Sequence, residues 1–485
     1  METPTAPHGP GWSRLLRSMT TWIVVGACGS VGLAVIGTSL GAIPEPTAVR
    51  WWYWIPKGST FASGLGFYAS IALLLAGWVG VGWHARSSGL SVARAWSILA
   101  IWGLPLVIGP PLFSRDIYSY IGQGLLAHHG LNPYSVAPSA LGHGPLLDSI
   151  ASVWRRTASP YGPLFVVVAR IAAAVSGDSL IVQVLVFRVM ELIGVFLIMS
   201  SLPRLARRLG TDPGMALWLG VLSPLALFSF IASAHNDALM VGLLLAGITL
   251  AMEGRLTTGS ALCALAATVK LPAAAAIAFI AVDQWSRATP GQRWRVSVQT
   301  MAAPIATVAA VTVASGLGWT WLGPSALHVP TELRVLSTPA VSLGNFFFAI
   351  LHATGLPVVR SSTVTVTQTL CFLLALAGSA WLLFHAHKLD VVRVLGLALL
   401  LIVAGSPTVW PWYLMWGIAI LAATPMQRSP ALAVVAGVAM LVVGPSGSPL
   451  LGGNLYVVIA PLVLAGCAWL VWDRRWRIVV FGRAA

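Results

Sequence analysis

The sequence predicts an all-α, polytopic transmembrane protein with about 14 membrane segments, and three observations predict it. Of its 485 residues, 57% are hydrophobic and only 8% are charged, with a mean hydropathy of +0.85. A soluble chain carries about 25% charged residues, so this one lacks the polar surface to cover a globule. Apolar runs of about 20 residues recur along the chain, each long enough for a helical span. They are too long and uniform for the alternation of barrel strands, and in lipid only helices or closed barrels satisfy the backbone. Third, Lys and Arg collect in alternate loops, as topology signals do.

Taken in order, Arg14 and Arg17 precede the first run, 20–42, which lacks a clear cleavage site and reads as a span. Further spans are expected at 65–84, 94–112, 180–202, 214–232, 237–252, 298–316, 364–385, 391–405, 411–424, 429–445 and 454–472. The run 258–282 is broken by Lys270-Leu271-Pro272 into halves too short to cross. The basic loops include Arg86, Arg204 with Arg207 and Arg208, Arg255, Arg293 with Arg295, and Arg474 with Arg475. Placing them in the cytoplasm leaves segments 43–64, 113–179 and 317–363 outside. The alternation then requires a helix near 161–175 to stay outside without crossing. It also requires 258–282 to enter and return, with both termini cytoplasmic. The organisation is one integral membrane unit: an N-terminal pair of spans (1–93), a core (94–425) and C-terminal spans with a tail (426–485). Long outer loops are where function is expected.

The net charge of +15 is scattered through short loops, so no nucleic-acid partner is expected. Cys28, Cys263, Cys371 and Cys467 sit unpaired in apolar runs. P-loop, Gly-x-Ser-x-Gly and His-Glu-x-x-His motifs are absent. His128 and His129 are adjacent and point to different helix faces, so no cofactor is expected, with a divalent metal left open.

Thirteen carboxylates can be sorted one by one. Glu191 follows Arg188 by three residues inside a span, and the two are expected to pair on one face. Asp116 sits at the membrane boundary in Ser114–Tyr120, beside Arg115, Tyr118 and Tyr120, and is followed by a segment dense in polar and aromatic groups, Gln123, His128, His129 and Asn132-Pro133-Tyr134. A span-ending charge with interfacial tyrosines is the plain alternative. His235-Asn236-Asp237 puts three consecutive hydrogen-bonding side chains in one hairpin, where a turn needs one. Lys270, mid-run and beside Pro272, costs about 2.5–3.5 kcal/mol to insert unless it is paired or lines a cavity. Either a substrate anion or Asp237 could meet it. Trp410, Trp412 and Tyr413 form a rigid aromatic turn that suits stacking on sugar or lipid, or an interfacial belt.

These strings together resemble the GT-C class of membrane glycosyltransferases, and within it the actinobacterial polyprenol-phosphate-mannose-dependent α-1,6-mannosyltransferases. The resemblance rests on SRDIYSYIGQGLLAHHGLNPY, SPYGPLF at 159–165, SAHNDALM at 233–240, TVKLPA at 268–273 and SPTVWPWYL at 406–414, and covers about 95 to 425. It implies a GT-C-like fold whose first large outer loop carries an essential acid, matched by Asp116, and a short outer helix, matched by 161–175. The second acid of the class motif is absent, since Arg115 and Ile117 flank Asp116.

The implied donor is a polyprenyl-phosphate mannose. The implied acceptor is a phosphatidylinositol-anchored mannan on the outer face of the plasma membrane. Within that resemblance Asp116 is the candidate base. Arg115 and Lys270 are candidate cations for the leaving phosphate, with His235 and Asn236 as hydrogen-bond donors. Tyr118, Tyr120, Gln123, Asn132, Tyr161, Asp237, Trp410, Trp412 and Tyr413 complete the candidate substrate site. The rival readings are transfer of another lipid-linked sugar such as arabinofuranose, and a secondary transporter or flippase.

Overall fold

The computed structural model describes residues 18–44, 52, 61–177, 179–323, 338–448, 459 and 461–464. The span expected at 454–472 and the basic residues Arg14 and Arg17 lie largely or wholly outside them. So do Glu45, Asp178 and Glu332.

Helices follow one another through the described chain. The first are α1 Met19–Leu40, α2 Phe61–Ser88, α3 Val92–Ile108, α4 Asp116–His128, α5 Pro163–Ser176 and α6 Leu180–Arg208. Then come α7 Pro213–Gly220, α8 Asp237–Met252, α9 Leu256–Ala267, α10 Ala275–Arg287 and α11 Arg293–Ser315. The last are α12 Pro339–Ala353, α13 Arg360–Phe384, α14 Val391–Gly405, α15 Met415–Leu421 and α16 Pro430–Val438.

Many start on the same local chemistry. A Ser, Thr or Asp accepts an orphan N–H of the first turn, and Pro often follows it. Asp212 accepts from Met215 before Pro213, Thr338 from Val341 before Pro339, and Ser429 from Leu432 before Pro430.

Five described helices are long and apolar enough to cross a membrane, or six if one bent pair counts as a span; eight shorter apolar helices of 10–17 residues accompany them. The stretch expected as a span over 214–232 is this bent pair. The chain turns by 51° between Pro213–Gly220 and Pro224–Ala232, where Ser223 caps a new start and Pro224 cannot continue the old helix. The second half ends in a π-helical stretch, Leu227–Ala232, a geometry that often marks functional sites. Within 317–363, the segment expected outside, α12 forms an apolar helix.

The core is built around α8, which is buried around most of its circumference. Glycines allow this. A Cβ on Gly194 of α6 would enter the backbone of Ala238, and one on Gly242 of α8 would enter Gly194. Gly247 and Gly259 bring α8 equally close to α9. On the other side, Trp78 and Trp218 stack at 4.5 Å. Each indole N–H donates to the other's carbonyl, at 2.9 and 2.8 Å, which stitches α2 to α7.

The break at Lys270 is as the sequence expects: α9 ends at Ala267, and a 3-10 turn, Leu271–Ala274, leads into α10. Such a break frees backbone carbonyls. The start of α5 supplies their donors, Gly162 N–H to Val269 O and Leu164 N–H to Thr268 O, both at 3.0 Å. Only glycine fits at 162, since a Cβ there would strike the Thr268 carbonyl.

Candidate active site

Two loops form the site, and backbone bonds hold them together. Leu112 N–H donates to Ala232 O at 3.1 Å, and Ser233 Oγ–H donates to Leu112 O at 2.7 Å. Each loop holds a non-glycine residue at positive φ: Phe113 at 62° and Ala234 at 52°. Strained positions of this kind persist where the surroundings over-determine them. Here Phe113 lies three residues before Asp116, and Ala234 directly before His235. Phe113 stacks on Phe228 of the π-helical stretch at 4.6 Å, and its N–H donates to Pro445 O.

Asp116 opens α4, where the helix N-terminus favours a carboxylate. Its Oδ1 accepts from Trp154 Nε1–H at 2.9 Å, and its N–H donates to Ser114 Oγ. Its Oδ2 lies 3.6 Å from His235 Nδ1. Burial pushes the Asp116 carboxyl up to about 6, against the opposing charge of Lys270 and the Trp154 bond. A group with that value exchanges protons near neutral pH, as a general base must. Burial, and next the charge of Lys270, holds His235 well below its usual range, so its contact with Asp116 is that of a neutral imidazole. The ring stacks on Trp412 at 3.8 Å, and Trp412 stacks on Trp410 at 4.8 Å. Tyr120 Oη reaches His235 Nδ1 at 3.4 Å and Asn236 Oδ1 at 3.5 Å. Burial keeps that phenol protonated.

Asp237 is fully buried, and its partners come from two other elements: Lys270 Nζ at 2.7 Å on Oδ2 and Trp416 Nε1–H at 2.5 Å on Oδ1. The ammonium also lies over the rings of Tyr413 at 5.0 Å and Tyr161 at 5.5 Å. Of the two partners the sequence allowed for Lys270, the structure therefore supplies the carboxylate.

The structure thus gathers Asp116, Tyr120, Tyr161, His235, Asn236, Asp237, Lys270, Trp410, Trp412 and Tyr413. Gln123 is one layer away, accepting from Ser159 Oγ–H at 2.8 Å. Three candidates are placed elsewhere. Tyr118 is buried and donates to Ala42 O at 2.5 Å. Arg115 donates to Ser149 O at 3.2 Å. Asn132 is half-buried and donates to Thr320 Oγ1.

The expected Arg188–Glu191 pair does not form. Arg188 Nη1–H donates to Val107 O, while Glu191 is buried with no ion pair among the described residues. The helical spacing puts the two on one side of α6, but different neighbours lie there.

Sequence reasoning missed Trp154 and Trp416, the indoles on the two carboxylates. Nothing local distinguishes Trp154. Trp416 lies four residues after Trp412, a helical neighbour of a residue already selected. Trp154→Phe should remove a donor that favours the ionised carboxylate. The acid limb of the activity–pH profile should then move to higher pH, with folding intact; an unshifted limb would detach Trp154 from Asp116.

Two family models match the chain: "Alpha-(1->6)-mannopyranosyltransferase, N-terminal domain" over residues 23–286, and "MptB C-terminal domain" over 340–473. The chain is 30% identical over 429 residues to alpha-(1->6)-mannopyranosyltransferase A of Mycobacterium tuberculosis, covering 84% of this chain and 80% of that protein. It is 32% identical over 450 residues to a probable alpha-(1->6)-mannopyranosyltransferase of Mycolicibacterium smegmatis, covering 84% and 79%. It is 28% identical over 397 residues to alpha-(1->6)-mannopyranosyltransferase A of Corynebacterium glutamicum, covering 76% and 78%. No solved structure matches it significantly.

Proposed function

Because the chain belongs to the alpha-(1->6)-mannopyranosyltransferase family and is thereby a membrane mannosyltransferase, we propose that it moves mannose from a polyprenyl-phosphate mannose to a lipid-anchored mannan. The transfer forms an α-1,6 linkage on the outer face of the membrane, as lipomannan assembly requires. One observation carries this reading: the buried Asp116 carboxyl, pushed up to about 6, shares the site with polar atoms that have no hydrogen-bond partner among the described residues. His235 Nε2, Asn236 Nδ2 and Trp410 Nε1 are all buried without a hydrogen bond among the described residues. Buried polar groups are normally satisfied, so a substrate rich in oxygen atoms is what this site lacks.

The roles follow from charge movement. Asp116 takes the proton from the acceptor hydroxyl as that oxygen attacks the anomeric carbon. The bond to the donor phosphate breaks, and configuration inverts without a covalent enzyme intermediate. Asn236 and Trp410 donate to oxygens of the sugar or phosphate, where charge develops. The flat stack of Trp410, Trp412 and His235 supports a sugar face.

The test is a proteoliposome assay with radiolabelled polyprenyl-phosphate mannose and a lipid-anchored mannoside. The expected product is an acceptor lengthened by one α-1,6-mannose. Label that crosses the bilayer without changing its lipid would replace the transferase with a flippase. Topology is checked separately by single cysteines within 138–149. A membrane-impermeant reagent added outside should modify them, and modification only from the cytoplasmic side would invert the proposed orientation.

A further inference from the structure

Arg188 is the strangest cation in the molecule once Lys270 is accounted for. It lies in α6, among lipid-facing neighbours such as Val189 and Leu185, yet is itself only 3% exposed. One of its nitrogens donates to Val107 O at the end of α3. Its Nε and Nη2 have no hydrogen-bond partner among the described residues. A guanidinium has five N–H donors in a rigid fork, and one carbonyl does not satisfy it. Capping of α3 accounts for one donor and leaves the others unexplained. A charge at such depth persists when it meets an opposite charge or serves a ligand.

The surroundings indicate which ligand. The guanidinium lies over the indole of Trp52 at 5.9 Å. Trp52 in turn holds Ile108 O through Nε1–H and lines an apolar groove of about 430 Å³. Ala34, Val35, Thr38, Leu104, Pro105 and Ile108 line the rest, between α1 and α3. The groove reaches Gly109, from which the chain runs directly through the site loop to Asp116. On the neighbouring residue of α6, Phe187 packs on Tyr120 at 5.8 Å, so the same helix turn touches the site.

An apolar slot with an unsatisfied cation beside one of its lining residues complements a lipid phosphate. We infer that Arg188 and this groove hold the polyprenyl phosphate of the donor, the chain along α1 and α3 and the phosphate at the guanidinium. This rests on the donor proposed above. It supplies the phosphate-binding cation that Lys270, paired with Asp237, and Arg115, engaged by Ser149, do not provide. A planar fork suits phosphate better than an ammonium does.

The probes are a polyprenyl phosphate without sugar, the corresponding polyprenol, and phosphatidylinositol, each titrated against the full-length protein in nanodiscs. Arg188→Met should weaken polyprenyl phosphate at least tenfold, leave polyprenol unchanged, and leave Tm unchanged or raised. Arg188→Lys should recover part of the loss. Leu104→Trp, at an exposed groove position, should weaken polyprenyl phosphate and polyprenol alike. Equal binding of polyprenyl phosphate by wild type and Arg188→Met overturns the inference, as does a fall in Tm with unchanged affinity. Loss of phosphatidylinositol binding alone overturns it in favour of a bilayer phospholipid. A wild-type protein that binds no polyprenyl phosphate overturns the donor reading itself, a different failure from an Arg188 variant that binds normally.

Discussion

Asp116→Asn should cut turnover by about 10²-fold or more while the protein folds and binds donor as before, because the amide keeps the shape and loses the basic oxygen. Stability gives this variant an internal control. The folded-state value, about 6, lies above the ordinary 3.8. Ionised Asp116 is therefore disfavoured by the fold. The stability its protonated form provides is complete below the unfolded value and is lost as pH rises through about 6. At neutral pH the wild type carries that penalty, at most about 3 kcal/mol by the size of the shift, and the neutral amide does not. The variant should thus melt no lower than wild type at pH 7.5. Wild-type turnover should fall as pH drops through about 6. A variant retaining near-normal turnover would place the base elsewhere. A wild-type profile flat from pH 5 to 8 would do the same.

Lys270→Met should be the most destabilising single change in the site. It leaves the Asp237 carboxyl fully buried and short of its strongest partner, the circumstance in which breaking a pair costs about 3–5 kcal/mol. Replacing both members, Lys270→Met with Asp237→Leu, should cost much less than the sum of the two single changes, because no lone charge remains. Thermal unfolding of all four proteins in one detergent measures the coupling. Additive losses would show that the pair contributes no coupling. A Lys270→Met protein that melts normally but fails to bind donor would return this lysine to the substrate.

Much of this was legible because apolar periodicity and breakers act locally. The sequence bounds 237–252 and 391–405 coincide with α8 and α14, and the break at Lys270-Leu271-Pro272 is where α9 ends. The bend after Gly220 had its signal, Ser223 before Pro224, but a uniformly apolar stretch hid it. Partner choice was less accessible. Spacing says which residues of α6 share a face, and it says nothing of whether Val107 or Glu191 lies beside Arg188. The indoles on Asp116 and Asp237 come from 38 and 179 residues away. Such contacts depend on how helices pack, which no local pattern encodes.

The seam between α6, α8 and α9 has a mechanical consequence. Where glycine meets backbone on both sides, neither helix can slide by a residue without driving a side chain into the other's main chain. A carrier works by slippage, with one half of the bundle rocking over the other to expose its cargo alternately. Here Asp237, which follows His235 and Asn236 directly, opens α8, and Arg188 stands on α6, so both sit on helices interlocked by such contacts. By its packing the site resembles an anvil more than a hinge, a fixed surface rather than a moving part.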